Sequence, residues 1–255
     1  MLIAQLSDTH YLTDGRKLGG EFDTGKAFDA LIDSIKRQPV QPDLILFSGD
    51  LGERATAAEY ADLGRALRQF GIPVRAVPGN HDARGPMLAE LPDMVKSTQS
   101  GHLCLLETGF DLAIIGLDTS VEGQPHGALC AQRLGWLEQT LKDLGDIPVL
   151  IFMHHPPIKT GLQAMDDMGL IEGRAELREI LAQHGKIQAI LCGHMHRTIQ
   201  GCFAGISVRV APSSSHQIAF DIRPDQPYRL VGEPGQYMMH LWDCENGLIS
   251  HTVPV

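Results

Sequence analysis

Short apolar runs alternate along this chain with longer stretches in which apolar positions recur every three or four residues. The runs Leu2–Ser7, Leu44–Ser48, Val74–Val77, Leu112–Leu117, Val149–Met153 and Ala189–Cys192 predict buried strands. The stretches Thr24–Arg37, Ala57–Phe70, Ala131–Leu144 and Arg174–His184 predict helices. In the first of these, Ala27, Leu31 and Ile35 share a face, Phe28 and Ile32 flank it, and Pro39 and Pro42 close it. The second stops at Gly71 with Pro73 beyond, a helix-stop pattern. After His196 helical spacing disappears. Cys202–Phe203, Ile206–Val210, Gln217–Phe220, Tyr237–Trp242 and Leu248–Val253 predict antiparallel sheet, with turns at Asp225-Gln-Pro and Glu233-Pro-Gly. There is no repeat and no linker, so residues 1–255 read as one α/β domain with a strand-rich part from about 200. The Met- and Gly-rich segment Gly161–Gly173 reads either as a mobile loop over a site or as an ordinary surface loop.

With 255 residues and 43% hydrophobic content, the chain can bury a substantial core. Its formal charge of -10 and Lys/Arg runs no longer than two argue against polymeric nucleic acid as a partner. An acidic chain still binds a phosphate ester when metals supply local positive charge. Five cysteines, at 104, 130, 192, 202 and 244, form no CxxC, so neither a disulfide framework nor a thiolate zinc site is expected. Free thiols suit a reducing cytoplasm. The start of the chain runs straight into a strand without a signal-peptide pattern, and no segment approaches the roughly 20 apolar residues of a membrane helix.

The chemistry gathers at five of the predicted strand ends. Ser7-Asp8-Thr9-His10 offers two donors two residues apart, expected on one face at the end of an extended strand. Gly49-Asp50 places a carboxylate after a residue that lets the backbone turn sharply, where both oxygens can be used. Gly79-Asn80-His81-Asp82 offers a neutral amide oxygen, with His81 free to face substrate. In His154-His155-Pro156-Pro157 one histidine can ligate while the other packs behind it, on a loop stiffened by two prolines. Gly193-His194-Met195-His196 repeats the two-residue spacing with imidazoles. Six of the twelve histidines fall in these motifs, which makes independent ordinary turns a poor account of them. Imidazole and oxygen donors without thiolate suit manganese, iron, zinc or cobalt.

Together these motifs resemble the calcineurin-like metallophosphoesterase superfamily. Leu117-Asp118-Thr119-Ser120, Gly127, Leu134-Gly135-Trp136-Leu137, Lys17-Leu18-Gly19-Gly20 and Met165-Asp166 resemble its class III cyclic-nucleotide phosphodiesterase and glycerophosphodiesterase branch. The resemblance implies a four-layer α-β-β-α sandwich of two mixed sheets flanked by helices. It implies two divalent metal ions, one held by Asp8, His10, Asp50 and His196, the other by Asp50, Asn80, His154 and His194. It implies His154 rather than His155 as the ligand, and His81 as a non-ligand at the phosphate or leaving group. Gly52-Glu53 departs from the Thr and Asp frequent there in the family, which puts only tuning or specificity in doubt.

The expected activity is hydrolysis of a small phosphodiester, a 3',5'-cyclic nucleotide such as cAMP or a glycerophosphodiester, by attack of a metal-activated hydroxide with Asp50 and His81 at the reacting centre. A phosphomonoesterase or nucleotide pyrophosphatase on the same fold is the first alternative, and a non-catalytic protein-binding scaffold a remote one. Arg16, Lys17, Arg84 and Arg197, near the motifs, read as substrate contacts or as solvated charge. By resemblance, the strand-rich tail offers either a surface for homo-oligomers or the completion of the second sheet.

Overall fold

The computed structural model describes residues 1–255. The first part of the chain forms β1 (Leu2–Leu6), α1 (Thr24–Lys36), β2 (Leu44–Phe47), α2 (Ala57–Arg68), β3 (Val74–Ala76) and α3 (Arg84–Glu90). The middle forms β4 (Leu105–Glu107), β5 (Ala113–Leu117), β6 (Gly127–Ala128), α4 (Ala131–Leu144), β7 (Val149–Met153), α5 (Gln163–Asp166), β8 (Leu170–Glu172), α6 (Arg174–Ala182) and β9 (Ile187–Cys192). The tail forms β10 (Ile199–Phe203), β11 (Ile206–Val210), β12 (Gln217–Ile218), β13 (Leu230–Val231), β14 (Gln236–Asp243) and β15 (Gly247–Pro254).

Two mixed sheets result, ordered β15-β14-β1-β2-β3 and β10-β11-β9-β7-β5-β4. β1, β2 and β3 run parallel because α1 and α2 cross back between them. Their near-continuous apolar sequence reflects burial on both faces. Ala4, Leu6, Ile45 and Phe47 pack outward on Leu31, Ile35, Leu63 and Leu67 of α1 and α2. In the second sheet Ile115, Leu117, Ile151 and Ile190 pack outward on Leu137, Leu141, Leu177 and Leu181 of α4 and α6. Between the sheets, Ile3, Leu44 and Leu46 meet Ile114, Leu150, Phe152 and Leu191. The layers are therefore α-β-β-α, as the resemblance implies.

The tail divides between the sheets instead of completing only the second. β10 and β11 extend the second sheet, while β14 and β15 extend the first, with Ile3 opposite His240. The strand expected over Gln217–Phe220 ends at Ile218, and Phe220 stands 69% exposed. Gly161–Gly173 is built structure: α5 and β8 lie there, and β8 pairs with β6. Leu162, Met165 and Leu170 sink into the core of the second sheet, which fixes the segment beside the carboxyl ends of the strands.

Candidate metal centre

β1, β2, β3, β7 and β9 point the same way within their sheets, so the loops after them gather at one edge, where open α/β sheets bind ligands. The five motifs occupy those loops. The convergence of Asp8 with His10, and of His194 with His196, does not come from an extended strand. Asp8, His10, Asp50, His194 and His196 all have positive φ, between 44° and 72°. Each such non-glycine residue costs about 1–3 kcal/mol, and such residues cluster where function requires them. Glycines leave the space for this crowding. A Cβ on Gly49, itself at φ +96°, would lie 2.4 Å from His154 Nδ1, and one on Gly193 would lie 2.0 Å from Ser7 Oγ.

Hydrogen bonding fixes which ring nitrogen faces inward. His10 Nδ1 donates to Glu53 at 2.8 Å, His196 Nδ1 to the His216 carbonyl at 3.2 Å, and His154 Nδ1 to the Ser48 carbonyl at 2.8 Å. In the neutral rings each Nε2 is then a lone pair. His10 Nε2 and His196 Nε2 face each other at 3.1 Å, with Asp50 Oδ2 3.5 Å from the first and Asp8 Oδ1 3.4 Å from the second. His154 Nε2 lies 3.1 Å from Asn80 Oδ1 and 3.3 Å from Asp50 Oδ2. His194 Nδ1 reaches the same Asn80 oxygen at 3.1 Å. Lone pairs this close repel unless a proton or a cation lies among them. Protons alone leave conflicting demands. Burial lifts Asp8 to about 6. Burial pulls His154 down, yet Asp50 carries it up to about 9. Burial and neighbouring His10 push His196 well below the usual histidine range. The donor set fits two divalent cations, with one oxygen of Asp50 touching both groups of histidines.

His155 packs against His154 and His194, with ring centroids 4.8 and 4.7 Å away, but both of its nitrogens are taken by other groups. Its Nδ1 accepts from Thr119 Oγ1 at 2.8 Å and its Nε2 donates to the Pro125 carbonyl at 3.2 Å. His81, whose side chain is 38% exposed, stands edge-on to His10. Its Nδ1 faces Glu53 Oε2 at 3.2 Å, and its Nε2 has no partner in the protein. Burial pulls His81 down, but the Asp50 and Glu53 carboxylates overcome it and hold the imidazole up at about 10. Glu53, at the departure from the family pattern, thus braces two site histidines. Asp82 accepts from the backbone N–H groups of Leu51, Gly52 and Gly79, tying the two turns together.

The cavity over the cluster measures about 200 Å³. Its polar floor is His10, Asp50, Glu53, Asn80, His81, His194, His196 and His216. Its apolar wall is Leu18, Met165, Met168, Ile218, Tyr228 and Leu230. None of Arg16, Lys17, Arg84 or Arg197 lines it. Arg84 is clamped by Asp118 and Ser120, and Arg197 by Glu233 and the Ile218 carbonyl. Two residues of the site escaped sequence reasoning. His216 stacks near His10 and His196, and Ser213 Oγ donates to the Asp8 carbonyl at 2.7 Å. Both follow β11, which runs parallel to β9, so Pro212-Ser-Ser-Ser-His216 is a further strand-end motif at the same edge.

Fold and cluster together define a metal-dependent phosphoesterase scaffold. The chain belongs to the calcineurin-like phosphoesterase family, whose model matches residues 1–198. It is 36% identical to a protein of Arcobacter nitrofigilis described as a probable glycerophosphodiester phosphodiesterase, covering 99% of this chain and 92% of that protein. It is 32% identical to a cAMP/cGMP dual specificity phosphodiesterase of Mycobacterium tuberculosis, covering 94% of this chain and 76% of that one. Among solved structures, the fold is similar to a dimetal phosphatase from Danio rerio, with a TM-score of 0.68 at 15% identity over 99% of this chain and 98% of that chain.

Proposed function

We propose that this chain hydrolyses small phosphodiesters at a pair of divalent metal ions, one held by Asp8, His10, Asp50 and His196, the other by Asp50, Asn80, His154 and His194. The observation that carries the reading is the single Asp50 oxygen within 3.5 Å of His10 Nε2 and 3.3 Å of His154 Nε2, in a cluster whose lone pairs converge. Such a pair of ions neutralises phosphoryl oxygens and lowers the pKa of water toward neutrality. Manganese, iron, zinc and cobalt all suit these donors.

The protein's own groups bind and orient the ester around that centre. His81 presents an Nε2 without a protein partner to the cavity and, as an imidazolium or a neutral donor, donates to a phosphoryl oxygen or to the departing alkoxide. Lys and Arg are absent from the lining, so nothing beyond the metals and His81 answers the second charge of a phosphomonoester. This favours a diester. The six apolar wall residues favour a flat, weakly polar arm over a glycerol arm, and hence a 3',5'-cyclic nucleotide over a glycerophosphodiester. The activities named for the two relatives span both classes. Five free cysteines fit a reducing cytoplasm as the working compartment. No helix is long and apolar enough to cross a membrane.

A panel of 3',5'-cyclic nucleotides, 2',3'-cyclic nucleotides and glycerophosphodiesters, compared by kcat/KM, tests the substrate class. The expected result is turnover of 3',5'-cyclic nucleotides in preference to glycerophosphodiesters. In Tyr228→Ala the KM for the nucleotide rises about tenfold with kcat little changed, the scale of one lost apolar contact. Preference for glycerophosphodiesters with no effect of Tyr228→Ala would remove the nucleoside from the wall.

A further inference from the structure

The layer between the two sheets is largely apolar. A partly buried Arg75–Glu107 ion pair joins its β3 and β4 edge, and one polar path runs through its middle. Gln5 on β1 and His240 on β14 both point into it, and both are fully buried. Gln5 Nε2 lies 2.9 Å from the Cys192 carbonyl and 2.9 Å from Ser48 Oγ. A carbonyl only accepts, so this end of the amide is the NH2, and Gln5 Oε1 faces His240 Nε2 at 3.0 Å. His240 must therefore be protonated on Nε2, and its Nδ1 accepts from Ser250 Oγ at 2.5 Å. Ser250 Oγ in turn accepts from the Arg209 guanidinium. Every hydrogen in the path is assigned by the partner that can only donate or only accept. Burial pushes His240 down to about 3, so the ring stays neutral and the direction does not reverse.

The path crosses between the sheets twice. It starts on β11 of the second sheet, passes through β15, β14 and β1 of the first, and returns to β9 of the second at Cys192. Its inner end touches the residues just before two of the motifs. Cys192 precedes Gly193-His194-Met195-His196, and Ser48 precedes Gly49-Asp50 while offering its carbonyl to His154. Apolar side chains between sheets resist separation but define sliding only loosely, whereas a directional buried hydrogen bond defines it sharply.

We propose that Gln5 and His240 are positioning residues for the metal centre: they fix the end of β9 against the ends of β1 and β2, and so set the distance between the Asp8/Asp50 and the His194/His196 halves of the site. The role rests on the binuclear centre proposed above. Substitutions behind metal ligands typically cost about 10–100-fold in metal affinity or activity.

The test is manganese titration of metal-stripped wild type, Gln5→Met and Gln5→Met/His240→Leu, followed by isothermal calorimetry and by the spin-coupled signal of the manganese pair. Thermal melts and the kcat and KM of the reloaded proteins are measured alongside. The expected result is two ions in the wild type, and at least a tenfold weaker second ion with an altered coupling signal in both folded variants. kcat falls about tenfold with KM little changed. Variants that only melt lower, yet bind both ions and couple them like wild type, would overturn the role and leave the centre standing. A wild type that binds no pair of ions would overturn the centre and the role together. If neither variant folds, Ser250→Ala cuts the path at its outer end, with about a threefold weaker second ion expected, and unchanged titration there would overturn the role.

Discussion

Replacing Asp50 with alanine abolishes diester hydrolysis and removes the capacity to hold two metal ions. Asp50 Oδ2 is the one atom that approaches both His10 and His154, and Asp50 Oδ1 accepts from the backbone N–H of His81 at 2.8 Å. In the proposed centre the substitution therefore strips a shared ligand, and it loosens the turn that carries Asn80 and His81. Groups that merely support a ligand cost about 10–100-fold when removed, so losing the bridging carboxylate costs more, on the order of 10³-fold or beyond in kcat. Metal analysis of the purified variant alongside its turnover checks this. Two tightly held ions in Asp50→Ala would contradict the bridging role.

The second large effect separates chemistry from metal binding. His81→Ala lowers kcat by about 10²-fold or more, the usual range for a lost proton donor, while metal content stays at the wild-type level. The reason is geometric. His81 Nδ1 is turned to Glu53, its Nε2 has no protein partner, and the ring lines the cavity instead of joining the converging lone pairs. Parallel metal analysis and single-substrate kinetics decide the matter. Loss of an ion in His81→Ala would make it a ligand after all.

Much of this was legible in the sequence because one rule ties motif to place. Chain alternation between strand and helix puts parallel strand ends at one edge, so polar residues after each apolar run meet there. Asp8, Asp50, Asn80, His154 and His194 were found that way, and all lie in the cluster. The local geometry was not legible. Alternation along an extended strand suggested why Asp8 and His10 aim together, but both residues sit at positive φ beyond the end of β1. His216 was overlooked because the tail read as plain antiparallel sheet, whereas β11 joins β9 in parallel and delivers its own loop to the site. Gln5 gave no signal at all. A lone polar residue in an apolar strand means little until the facing sheet shows that the Cys192 carbonyl and Ser48 hydroxyl are waiting for it. The short elements α5 and β13 owe their form to packing around the cavity, and β8 to pairing with β6, which no local periodicity records.

The central claim is a metal-dependent preference for diesters over monoesters. The direct test is hydrolysis of bis(p-nitrophenyl) phosphate against p-nitrophenyl phosphate by the metal-stripped chain, before and after manganese is restored. The account predicts no turnover of either compound when stripped, and restored turnover with the diester favoured. Diester hydrolysis that survives complete removal of metal, or a restored enzyme that prefers the monoester, would contradict it.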